Sequence, residues 1–202
     1  MFFAVHTAAV DRPVRNGHVS CGPGATPDRQ IGETMMSVQT TAGPRISAKG
    51  FDLSPPDADQ RRALEAVLTE DERNVLLHHG TEAPFCGGLL DNKEPGVYGC
   101  RLCGLPLFRS DAKFESGTGW PSFYQPFDET HLTLVRDTAY GMVRTETRCA
   151  RCDSHQGHVF PDGPAPTRLR YCINSVSLEF TPLGGILPDK LARGAPEGEA
   201  AA

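Results

Sequence analysis

The stretch Arg170 to Phe180, RYCINSVSLEF, alternates in polarity with the period of a β-strand. On a strand, Arg170, Cys172, Asn174, Val176, Leu178 and Phe180 share one face, with Tyr171, Ile173, Ser175, Ser177 and Glu179 opposite. That face sets the Cys172 thiol between a guanidinium and a carboxamide. A neighbouring cation lowers a thiol's pKa and makes it reactive; a buried, inert cysteine is the competing reading.

Upstream of this strand, short β-prone runs separated by turn residues begin at Val97: VYGC, PLFRS, HLTLVR and GMVRTETR. They predict a mainly β domain with a few short helices before it. Ser54 is placed to cap a helix whose first turn holds Pro55 and Pro56, with Leu64, Val67 and Leu68 as its apolar stripe. Thr69 and Glu72 fit a capping box, so a second helix runs through Val75 and Leu76 to Gly80. His78 and His79 close that helix, where positive charge is favoured, and read as surface or capping residues. The segment TEAPFCGGLLDNKEPG then forms a loop carrying Cys86.

The 202 residues have room for one domain with a proper core plus tails. Residues 1–52, rich in Gly, Pro, Thr and Ser, read as a disordered or loosely attached extension; 53–182 as the folded domain; and 183–202 as a mobile tail. Met35 or Met36 offers a second start, and Cys21 is an incidental cysteine of the extension. A net charge of −5 without a Lys/Arg run argues against nucleic acid as a partner. No apolar run approaches the roughly 20 residues that span a bilayer, and the opening MFFAVHTAAV lacks a basic n-region, so a cytoplasmic location is expected.

Of the seven cysteines, Cys100 and Cys103 (GCRLCG) and Cys149 and Cys152 (RCARCD) form two CxxC pairs. In a chain without an export signal, paired CxxC reads as metal before disulfide. Four thiolates complete a tetrahedral zinc with no open position, a structural site; an iron of the same ligand type and a redox CxxC are the rivals. The long gap from Cys103 to Cys149 favours two knuckles joined through an intervening sheet over a single finger. His155 and His158 follow the second pair too closely for a Cys2His2 finger and are free for other work. The chain's one tryptophan, Trp120, lies in the Gly-rich turn FESGTGWPSF, better placed to line a small apolar pocket than to fill a core.

Taken together, GCRLCG, SGTGWPSF, RCARCDSHQGHVFPDGP and RYCINSVSLEF resemble the B-type methionine sulfoxide reductases, which act on methionine-R-sulfoxide, and LLHHGTEAPF extends the likeness over about residues 53–182. The resemblance implies a compact domain of two small antiparallel sheets with N-terminal helices and a four-cysteine zinc. It implies Cys172 as the nucleophile, Trp120 as the holder of the substrate methyl, His155 and His158 as active-site histidines, Phe160 as an aromatic wall, and Arg170 and Asn174 as polar neighbours of the thiolate. Many members carry a second cysteine in SGCGWPSF that resolves the sulfenic acid. Here that position is Thr118. Cys86 becomes the candidate resolving thiol, with thioredoxin as reductant, oxidised proteins as substrates, and a monomer as the working unit. A non-catalytic zinc-ribbon module and a thiol redox sensor are the readings from other classes; neither gives Trp120 and the histidines a reason.

Overall fold

The computed structural model describes residues 45–194. Helix α1 (Ala58–Ala66) is capped by Asp57, whose carboxylate accepts from the Asp59 and Gln60 N–H groups while the Gln60 side chain returns to the Asp57 N–H. The sequence placed this cap at Ser54. Asp57 wins because Gln60 completes a reciprocal pair, whereas two prolines with no N–H follow Ser54. Leu64 and Leu68 are buried, but Val67 is exposed. Helix α2 (Glu70–His78) starts as expected at Thr69 with Glu72 as reciprocal partner, and His79 ends it in the left-handed conformation.

Nine strands follow: β1 (Gly96–Cys100), β2 (Pro106–Arg109), β3 (Lys113–Phe114), β4 (Ser122–Phe123), β5 (Leu132–Asp137), β6 (Arg144–Cys149), β7 (His155–Phe160), β8 (Arg170–Ile173) and β9 (Leu178–Pro182). They make the two antiparallel sheets expected, one ordered β2-β1-β9 and one ordered β3-β4-β8-β7-β6-β5. Aromatic rings from both sheets form the core between them: Phe108 of β2 stacks on Phe123 of β4 with centroids 4.4 Å apart, and Tyr98 of β1 meets Phe123 edge-on at 5.1 Å.

RYCINSVSLEF is not one strand. It pairs in the large sheet as β8, breaks at Asn174, makes a 3-10 turn over Ser175–Ser177, and joins the small sheet as β9. The break has a local cause. The Asn174 N–H still donates to the Gln156 carbonyl of β7 at 2.9 Å, but the next two N–H groups, of Ser175 and Val176, donate to the Glu82 carboxylate at 2.6 and 3.1 Å and have no ladder bond to offer. One chain segment thereby links both sheets.

The packed region also exceeds 53–182. Phe51, Leu187 and Leu191 are buried with the core, Ile46 pairs with Asp52, and the Lys190 ammonium donates to the Arg101 carbonyl at 2.6 Å. The Arg193 guanidinium holds the carbonyls of Ser54 and Pro55. These apolar anchors are too sparse to show as periodicity. Cys21, Met35 and Met36 lie outside the described residues. No helix among those residues is long and apolar enough to cross a membrane.

Candidate active site and metal centre

Cys100 and Cys103 flank the β1–β2 turn, and Cys149 and Cys152 the β6–β7 turn, so each sheet contributes one knuckle. The four sulfurs converge in the core, with Cys100 Sγ 3.6 Å from Cys152 Sγ and Cys103 Sγ 3.6 Å from Cys149 Sγ. Four sulfurs at about 2.3 Å from one tetrahedral zinc would stand about 3.8 Å apart, and a disulfide would bring a pair to about 2.05 Å. The set therefore fits a metal and not two disulfides. All four are buried and free. Burial opposes their ionisation, yet hydrogen bonds from the other three cysteines and Ser154 drive Cys100 well below an ordinary thiol. Such a cluster calls for a central cation.

Next to it lies the face of the large sheet that holds Cys172. Cys172 is opposite Ser122 on one side and opposite His158 on the other, and His158 is in turn opposite Glu146. Directly opposed residues of an antiparallel pair project to one face. Ser122, Cys172, His158 and Glu146 thus form a row across four strands, with Arg170 and Phe160, themselves opposed, one step along it. His155 would face away from His158 in a regular strand, three residues being an odd step. Gln156 is the extra residue of a bulge against Thr147 and Arg148, and the two imidazoles come to 5.5 Å between centroids. Gln156 itself turns to the cysteine cluster, donating to Cys100 Sγ at 3.7 Å. Gly157 allows this strand to approach its neighbour, since a Cβ there would lie 2.0 Å from the Cys172 carbonyl oxygen.

The electrostatics are set by pairs the sequence reading did not include. Asp137 of β5 accepts from His158 Nε2 at 2.9 Å, from Arg144 at 2.6 Å and from the Ala139 N–H at 2.8 Å. Burial works against its charge, but these donors hold it down to about 2. Burial lowers the His158 pKa despite Asp137. His158 is therefore neutral near pH 7, and the Nε2–H given to Asp137 leaves Nδ1 as the acceptor. Glu146 receives His155 Nδ1 at 2.6 Å, His79 Nδ1 at 2.7 Å and Arg148 at 2.8 Å, and is held far below the carboxylate range although burial opposes this.

Cys172 is half-buried. Burial raises its pKa, and Thr118, Arg170 and Ser122 only partly offset that. Arg170 was expected to favour the thiolate, and its charge does pull in that direction. It is shared: two bonds of 2.9 Å go to Asp162, and the guanidinium lies 4.5 Å from the Phe160 ring centroid. Asn174 is buried and turned to backbone, donating to the Gln156 carbonyl at 3.0 Å and accepting from the Glu82 N–H at 3.2 Å. Trp120 precedes β4 by two residues and donates its indole N–H to the Glu82 carbonyl at 3.2 Å. Thr118 Oγ1 sits 3.7 Å from Cys172 Sγ.

The SelR domain model matches residues 68–182, more than half of the chain. Peptide methionine sulfoxide reductase MsrB of Caulobacter vibrioides (strain NA1000 / CB15N) is 74% identical over 149 residues, covering 74% of this chain and 94% of that protein. The protein of the same description from Xylella fastidiosa (strain M23) is 64% identical over 144 residues, covering 71% and 93%. The chain belongs to the SelR domain family, the MsrB proteins.

Within this MsrB chain, Cys86 stands apart from the row. It takes part in a disulfide whereas Cys172 is a free thiol, so the two are not bonded to each other here. The loops that carry them are nevertheless joined: the Phe85 N–H donates to the Gly119 carbonyl at 2.8 Å, one residue from Thr118. Sequence reasoning missed Asp137, Glu146 and Glu82, and took His79 for a cap without its carboxylate. Asp137 and Glu146 sit in alternating strands whose polar face looks like ordinary solvent-facing sequence, and only the strand order shows that this face gathers them beside His158 and Cys172.

Proposed function

We propose that this protein reduces methionine-R-sulfoxide in oxidised proteins to methionine, as a cytoplasmic monomer with thioredoxin as reductant. The observation that carries the reading is the cross-strand pairing of Cys172 with His158, whose far nitrogen is held by Asp137. A thiol next to a neutral, oriented imidazole is the arrangement of a base-activated nucleophile.

His158 takes the Cys172 proton, and the thiolate attacks the sulfoxide sulfur. Arg170 and Thr118 stabilise the sulfur's charge at that moment. The methionine S–O bond breaks and the oxygen ends on Cys172 with a proton from His155, giving a sulfenic acid and a thioether. Methionine sulfur gains two electrons and Cys172 loses two. Trp120 and Phe160 bound the apolar pocket for the S-methyl group, and fixing that group while the oxygen faces the histidines selects one epimer. Asn174 acts as a positioning residue that fixes the end of β8.

Cys86, reduced, is the resolving thiol: it loses its proton to solvent, its sulfur attacks the sulfenic sulfur, the S–O bond breaks, water leaves with the His158 proton, and thioredoxin reduces the disulfide. The Phe85 to Gly119 bond supports this by keeping the two loops adjacent; bridging needs Cα atoms within about 7 Å. Cys100, Cys103, Cys149 and Cys152 would hold zinc, whose role is to clamp the β1–β2 and β6–β7 turns together.

A methionine sulfoxide peptide resolved into its two epimers tests the reading. The R form is consumed in the presence of dithiothreitol, the S form persists, and Trp120→Ala lowers kcat/KM by about 10- to 100-fold. Equal consumption of both epimers, or none with Cys172 titrating as a free thiol, overturns it.

A further inference from the structure

The β4–β8 ladder stops one step short of Trp120. Its last bond runs from the Ile173 N–H to the Pro121 carbonyl at 3.0 Å, and proline has no N–H to return. Beyond it lie Trp120 on one side and Asn174 on the other, and the residue that bridges them comes from the loop after α2. The Glu82 carbonyl accepts the Trp120 indole N–H at 3.2 Å, and the Glu82 N–H donates to Asn174 Oδ1 at 3.2 Å. Its carboxylate takes the Ser175 and Val176 N–H groups at 2.6 and 3.1 Å.

All the polar groups of one residue are therefore spent on Trp120 and on the end of the strand that carries Cys172. Two consecutive N–H groups need two acceptor oxygens, which a carboxylate offers and an amide does not. Burial raises the Glu82 pKa, and these backbone donors work against that rise. The same loop grips the Trp120 turn at a second point, where the Phe85 N–H donates to the Gly119 carbonyl at 2.8 Å. A Cβ on Gly119 would lie 2.7 Å from Pro84 Cβ, so the two loops pack backbone to backbone.

We infer that Glu82 is a positioning residue that sets selectivity between the two sulfoxide epimers, by fixing the Trp120 ring relative to Cys172. The inference rests on the reading that Trp120 bounds the pocket for the S-methyl group. The epimers differ in whether methyl or oxygen occupies a given place around the sulfur. With the sulfur at Cys172, only the R form puts its methyl on the indole and its oxygen towards the histidines at once. Discrimination is then the advantage a held indole gives one form, and a ring free to swing loses that advantage. The thiol keeps its own surroundings, which are Thr118, Arg170 and Ser122.

The experiment uses Glu82→Ala and Glu82→Gln, each assayed with the R- and S-epimer peptides at saturating dithiothreitol. The inference predicts KM for the R epimer raised at least about tenfold in Glu82→Ala, kcat within about threefold of wild type, and the R-to-S ratio of kcat/KM lowered to match. Trp120, the chain's one tryptophan, reports the cause: its emission moves to longer wavelength and acrylamide quenches it more readily. Iodoacetamide alkylates Cys172 at the wild-type rate. Glutamine keeps one of the two acceptors and falls between alanine and wild type. Wild-type KM and Trp120 emission in Glu82→Ala, or in Glu82→Gln should alanine fail to fold, overturns the inference. A lower melting temperature with both epimers slowed equally and KM unchanged does so too, in favour of a structural tie alone. Failure of the underlying reading would differ: wild-type protein itself would consume both epimers equally or neither.

Discussion

His158 and Cys172 are directly opposed residues of β7 and β8, and the imidazole is anchored from behind by Asp137 at 2.9 Å. This places the proposed base and nucleophile on one face without a flexible segment between them. Both come from the middle of the large sheet, so their separation is set by the ladder.

Because burial outweighs the help of Thr118 and Arg170, Cys172 titrates above an ordinary thiol in the resting protein. Iodoacetamide alkylation of Cys172 against pH, read by mass spectrometry, shows a midpoint above that of a model thiol. Arg170→Met moves the midpoint higher still and slows turnover several-fold at neutral pH.

The carboxyl of Asp137 titrates near 3.8 when unfolded and at about 2 when folded. Its contribution to stability is therefore complete above about pH 4 and disappears as pH falls through about 2, with a size of about 2 kcal/mol. Urea unfolding of wild type and Asp137→Asn is expected to differ by that amount at pH 7 and to converge towards pH 2.

The cysteine cluster brings a knuckle from each sheet together. Purified protein carries one equivalent of zinc by elemental analysis, and Cys149→Ser loses the metal and unfolds at least roughly 10 °C lower. An unchanged midpoint after metal loss would mean that the aromatic core suffices.

Thr118 Oγ1 lies 3.7 Å from Cys172 Sγ, so a sulfur at that position is close enough to bridge. Thr118→Cys is expected to form a disulfide to Cys172 after one turnover, and to restore at least half of the thioredoxin-dependent rate in a Cys86→Ser background.

The two sheets and the knuckles were legible from Cys100, Cys103, Cys149, Cys152 and the alternating runs, because metal spacing and strand period are local patterns. So was α2, whose capping box is complete within four residues. The fate of RYCINSVSLEF was not: its alternation continues through Asn174, but Glu82, ninety-odd positions away, captures the backbone of Ser175 and Val176 and turns the strand into the second sheet (|i−j| of 93 and 94). The same limit hid Asp137 and Glu146. Their chemistry comes from the order of β5, β6, β7 and β8, which no window of sequence contains. Phe51, Leu187 and Leu191 were lost for want of neighbours to make a pattern.

Reaction of the fully reduced protein with one equivalent of R-sulfoxide peptide, without reductant, bears most directly on the central claim that Cys172 is the oxygen acceptor. Intact mass and peptide mapping should find one methionine formed per chain, with Cys172 trapped by dimedone as a sulfenic acid or joined to Cys86, and Cys172→Ser should form none. Methionine formed at wild-type yield by Cys172→Ser, or oxidation found elsewhere while Cys172 stays a thiol, would contradict the account.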